Sequence, residues 1–153
     1  MRIAFPFSVA GAMMSVTLCV AAEPEILACK RESGSPMLGA IRSLAGLPEP
    51  VQHMLGHGRA PFRSIADRTE EFNATDVVVN ELPMRRFALA GRTANCLLVA
   101  VEQGGYAYWI ELLKFERYGE SWRQTQRGML PRLPQRISDL EQGAIALPPE
   151  TPY

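Results

Sequence analysis

The sequence predicts an α+β domain: an N-terminal helical pair followed by an antiparallel β-meander of about five strands, with a small β-barrel-like fold as the alternative. Three observations lead there. Apolar residues recur at helical spacing from Leu38 to Leu55. After Phe72 the pattern changes to β-branched and aromatic runs broken by turn residues. Gly104-Gly105, set between two apolar alternations, suits a primed two-residue hairpin turn.

The chain opens on a segment of a different kind. Arg2 is the only charged residue before Glu23, an apolar run follows it, and Val20-Ala21-Ala22 supplies small side chains at a cleavage position. Residues 1–22 therefore read as a secretory signal peptide cut after Ala22, which places the mature chain in the periplasm or outside the cell. The alternative is a membrane-anchored protein held by this segment uncleaved. A lipid-modified Cys19 is disfavoured because Leu18 stands where a small residue is needed. Removing Cys19 leaves two of the three cysteines, so Cys29 and Cys96 are the expected disulfide.

Residues 23–147 are expected to form one domain. Ser35-Pro36 would cap a first helix carrying Leu38, Ile41, Leu44 and Ala45 and ending near Gly46. A second helix follows Pro48, with Val51, Met54 and Leu55 on one side and Gly56 or Gly58 at its end. Strands are expected over 76–80, 85–90, 95–102, 106–117 and 121–127. A Gly104-Gly105 turn would set Gln103 opposite Tyr106, Val101 opposite Tyr108, Val99 opposite Ile110 and Leu97 opposite Leu112. The reverse face would then hold Cys96, Leu98, Ala100 and Glu102 with Trp109, Leu113 and Phe115, joined by Trp122 through a second turn at Tyr118-Gly119. That face is apolar too, so it also needs a cover. Beyond Gly128 the chain is proline-rich around a short helix at 138–142, and residues 148–153 read as a mobile tail.

Composition narrows the function. The 16 Lys and Arg balance 16 Asp and Glu, which leaves no basic footprint for nucleic acid or for an anionic membrane surface. His53 and His57 have the i, i+4 spacing of zinc ligands, but no Glu follows the first and no third ligand stands near. Asp67, Glu70, Glu71, Asp76 and Glu81 are scattered acids, and Asn73-Ala74-Thr75 reads as a capped turn that also matches a glycosylation acceptor. The sequence holds no Gly-x-Ser-x-Gly elbow and no phosphate-cradling glycine loop, and no cofactor or metal is expected.

The segment with most chemical character is aromatic. Tyr106, Tyr108, Trp109, Phe115 and Trp122 fall close together with Arg117 and Arg123 among them, the residue types that dominate binding hot spots. These seven are the candidate binding residues. The expected function is a small exported non-enzymatic binding or interaction domain of the accessory, inhibitor or adaptor kind, with an envelope or secreted protein as partner. No stable membrane insertion is expected after cleavage. The alternative is a small exported hydrolase or metal-dependent enzyme using His53, His57 and the nearby carboxylates.

Overall fold

The computed structural model describes residues 28–29, 39–142 and 144–147. The expected leader, the start of the first expected helix at Ser35-Pro36 and the proline-rich tail lie outside the described residues.

Among the described residues six antiparallel strands follow one another across a single sheet: β1 (Gly39–Ile41), β2 (Arg85–Arg92), β3 (Cys96–Gln103), β4 (Trp109–Tyr118), β5 (Ser121–Leu130) and β6 (Ile145–Ala146). This is an α+β meander. It stays open, with β1 and β6 at opposite edges, so the barrel alternative does not describe it.

The helical pair is only half present. Gly39–Ile41 is a strand on β2, and Leu44–Gly46 is a single 3₁₀ turn. Ser43 provides the cap here, its hydroxyl accepting from the Ala45 amide, while the Asp67 carboxylate accepts from the Leu44 amide and the Ser43 hydroxyl. The apolar spacing that resembles a helix instead delivers Ile41, Leu44 and Leu47 to one layer by strand and turn. The second helix, α1 (Glu49–Met54), forms as expected with Val51 and Leu55 buried, although Met54 faces solvent. A second short helix, α2 (Ile137–Gln142), starts where the Asp139 carboxylate accepts from the Gln135 and Arg136 amides.

The strand expected over 76–80 is a loop. Asn73 organises it from a buried position: its side-chain oxygen accepts from the Val79 amide, and its nitrogen donates to the Val79 and Leu82 carbonyls. One amide side chain thus replaces three ladder bonds and curls the chain away from the sheet. The same bonds occupy the nitrogen that a glycan would need.

Gly104-Gly105 does not make a two-residue turn either. The strands stop at Gln103 and resume at Trp109, so Val99 faces Leu113 and Leu97 faces Phe115, a three-residue slip from the expected pairing. Because the slip is odd, it moves every β4 side chain to the other face relative to β3. The cause lies in the neighbouring loop. The Gly104 amide donates to the Met84 carbonyl and the Gly105 amide to the Asn73 carbonyl. A Cβ on Gly104 would collide with the Asn73 carbonyl oxygen, so only glycine fits. The tight hairpin is instead at Gly119-Glu120, between Tyr118 and Ser121, where Gly119 has φ +63° and Glu120 has negative φ, the pattern of a type II′ turn.

With this register both faces are filled. On the first, Phe87, Ala90, Leu97, Val99, Val101, Leu113, Phe115 and Trp122 pack under Leu44, Leu47, Val51, Leu55 and Ile65. On the second, Leu89, Leu98, Ala100, Ile110, Leu112 and Leu130 pack against Leu140, Ala144 and the half-cystine Cys29. Cys29 and Cys96 are disulfide-bonded, with Cα atoms 5.8 Å apart, so Cys29 is stapled to the second face. β3 is the floor of both layers, which explains its unbroken apolar run from Cys96 to Val101.

Candidate binding surface

The seven candidate binding residues separate into three environments. Phe115 is fully buried and Trp122 is 9% exposed, both in the layer under α1. These two are core, and the slipped register is what puts them there. Arg117 and Arg123 stand at the Gly119 hairpin, where the Arg117 Nε donates to the Gly119 carbonyl and Arg123 lies over the Tyr118 ring at 5.3 Å. Tyr106, Tyr108 and Trp109 are at the opposite end of β4. At about 3.3 Å per residue the eight steps from Trp109 to Arg117 span roughly 26 Å, so the arginines and the aromatic loop form no common patch.

The aromatic end is reinforced by residues that the sequence did not single out. Tyr106 is 97% exposed, and Tyr108 and Trp109 are partly so. The Asn73 loop meets them through the Gly104 and Gly105 bonds and carries Val77, Val78 and Val79, of which Val77 is 75% exposed. Met129, opposite Glu111, is a diagonal neighbour of Trp109 on the same face and is exposed as well. Between residues 70 and 84 the only charges are Glu70, Glu71, Asp76 and Glu81, so the segment that carries the valines is acidic. A run of three valines reads as a strand in sequence. Only the Asn73 bonds reveal that it is displayed.

Behind Tyr108 lies a polar cluster on the second face. Glu102, buried at the end of β3, accepts from Arg86 through both oxygens, at 2.8 and 2.9 Å, and from the Tyr108 hydroxyl at 2.7 Å. Arg86 stacks on the Phe72 ring at 4.4 Å. Donating to the Glu102 carboxylate holds the Arg86 guanidinium above its ordinary value against the opposing effect of burial. Burial, with the hydrogen bond to Glu102 and its charge, pushes the Tyr108 phenol up to about 12. Arg86 and Glu102 border a cleft of about 60 Å³ that is also lined by Arg68, Ala88, Leu133 and Pro134.

Of the residues of the enzymatic alternative, Asp67 and Glu70 serve local structure. α1 ends at Met54, so His57 is beyond the helix, while His53 pairs with Glu49 at 3.5 Å on an exposed face. Burial raises the Asp67 carboxyl, but hydrogen bonds from the Ser43 hydroxyl and the Leu44 and Arg68 amides outweigh it and hold the group below its ordinary value, with His57 the weakest influence. Glu70 accepts from the Asp67 amide. Among the described residues no three His, Cys, Asp or Glu groups gather so as to hold a metal ion, and no helix is long and apolar enough to cross a membrane. Comparison with family models, with curated proteins and with solved structures finds no match, so the functional reading rests on this chain's own residues.

Proposed function

We propose that the chain is an exported, non-enzymatic interaction domain whose contact surface is the loop end bearing Val77, Val78, Val79, Tyr106, Tyr108 and Trp109. One observation carries the reading: these exposed apolar side chains are gathered on two loops that a buried asparagine bonds together. Display of this kind loses little conformational freedom on binding, because the loop backbone is already fixed. The acidic charge of the valine-bearing segment favours a partner that carries basic groups beside an apolar depression. Export is supported by the leader-like first 22 residues and by the Cys29–Cys96 bridge, which belongs to an oxidising compartment.

The test is site-directed photo-crosslinking from position 106 in intact cells, compared with the same probe at Tyr118 on the far hairpin. A discrete adduct from position 106, lost on changing Val77→Ser and Trp109→Ala together and absent from position 118, is the expected result. Truncating a central anchor should weaken the purified pair by about 2 kcal/mol, roughly 30-fold in Kd. Equal adducts from both positions, or an adduct indifferent to the two substitutions, would overturn the assignment.

A further inference from the structure

The cleft beside Glu102 has an excess of cationic donors over acceptors. Arg86 uses Nε and Nη2 on the two Glu102 oxygens, and Tyr108 adds a third donor to the same carboxylate, so Glu102 is saturated and its charge is matched. Arg68 brings a second guanidinium to the cleft wall. Among the described residues nothing pairs with that guanidinium or accepts a hydrogen bond from it. The acids that flank it in sequence are engaged elsewhere: Asp67 holds Ser43 and the Leu44 and Arg68 amides, and Glu70 caps the Asp67 amide. Arg86 also keeps Nη1 nearly unused, its one contact being a long 3.5 Å approach to the Glu70 carbonyl.

The remaining wall is apolar, formed by Ala88 on β2 and by Leu133 and Pro134 from the segment leading to α2. A half-buried guanidinium next to apolar surface gains most from a planar, bidentate anion, which it binds more strongly there than in water. A volume of about 60 Å³ has room for on the order of four water-sized groups. That is the size of a carboxylate with one or two carbons behind it.

We propose that this cleft binds a carboxylate group carrying a short apolar stub, with Arg68 as its principal ligand, the weakly engaged Nη1 of Arg86 as its second, and Leu133 and Pro134 against the stub. The same chemistry has two sources, a free short-chain carboxylate and the C-terminal end of a peptide. None of the cleft-lining residues belongs to the loop-end surface, although Tyr108 touches Glu102 from that side, so the site survives if that reading fails.

The test titrates the disulfide-intact protein at low ionic strength while following the Arg68 and Arg86 Nε–H resonances and the Ala88 amide. The probes are sodium acetate, inorganic phosphate, and N-acetyl-dialanine with a free or an amidated C-terminus. Saturable shifts with acetate are expected, with at least about a tenfold rise in Kd for Arg68→Ala and a smaller one for Arg68→Lys, which keeps the charge but loses the fork. Tyr106→Ala should leave acetate binding unchanged. Tighter saturation by the free-acid peptide than by acetate, with none by its amide, assigns the site to a chain terminus; saturation by acetate alone assigns it to a small acid. Shifts that rise linearly without saturation, that persist unchanged in Arg68→Ala, or that phosphate produces more tightly than any carboxylate would overturn the proposal.

Discussion

Glu102 is a buried carboxylate that would be costly alone, and its three donors are what make the position tolerable. Tyr108 supplies one of them while half exposed, and burial together with the bond to Glu102 pushes its phenol up to about 12 from an ordinary 10.0. A raised acid keeps its proton in the folded state at pH values where the unfolded chain has lost it. Its contribution to stability is therefore fully present below about pH 10 and is lost as pH climbs from there through 12. Absorbance titration of phenolate should show one tyrosine ionising near pH 12, and Tyr108→Phe should remove that component; its persistence in the variant would show that another phenol is responsible. Sequence makes part of this scale legible. The Cys29–Cys96 bridge follows from counting thiols after the leader, because cysteine parity needs no geometry. Asn73, Arg86 and Glu102 escape such counting, since each acts through partners that only the folded chain brings together.

At the scale of elements, the strands with continuous apolar or alternating patterns could be placed to within a few residues, and α1 and α2 follow from Pro48 and from Asp139 before Gly143. Register was not legible, because the strongest local turn signal belongs to a tertiary contact. Gly104 is glycine because the Asn73 backbone passes within contact distance. Gly104→Ala should consequently destabilise by about 1–3 kcal/mol, the cost of forced overpacking, with faster exchange of the Gly105 amide that bonds Asn73. Gly119→Ala strains a φ of +63° but meets no atom within 4 Å, so it should cost less than Gly104→Ala. Chemical denaturation of the two variants decides the matter. A larger loss from Gly119→Ala would mean that the Gly104 loop yields easily and that the slip of β4 has another origin. The same reasoning accounts for Phe115 and Trp122: aromatic residues on β4 and β5 look alike in sequence, and the odd slip alone sends these two under α1 while leaving Trp109 at the rim.

The whole molecule is a sheet with two unequal covers. The first face lies under a contiguous stretch from Leu44 to Ile65, anchored through Asp67 and joined to β2 by the Ala66 bridge. Among the described residues, the second is covered by pieces distant in sequence, Cys29 at one end of the chain and Leu140 and Ala144 at the other. A cover assembled from separate pieces depends more on its cross-link, and the bridge closes a sequence separation of 67. In the chain-entropy picture a loop of that size is worth about 4 kcal/mol. Replacing both cysteines, Cys29→Ser with Cys96→Ser, should lower the unfolding free energy by up to that amount, and the loss should be uneven. Amides of α2 and those facing it from β2 are expected to exchange through a partial opening, while those of β3 keep protection up to global unfolding because the first cover still holds them. Native-state hydrogen exchange on the double variant measures this directly. If α2 and β3 lose protection in parallel, the two covers form one cooperative unit and the bridge acts on the unfolded chain alone.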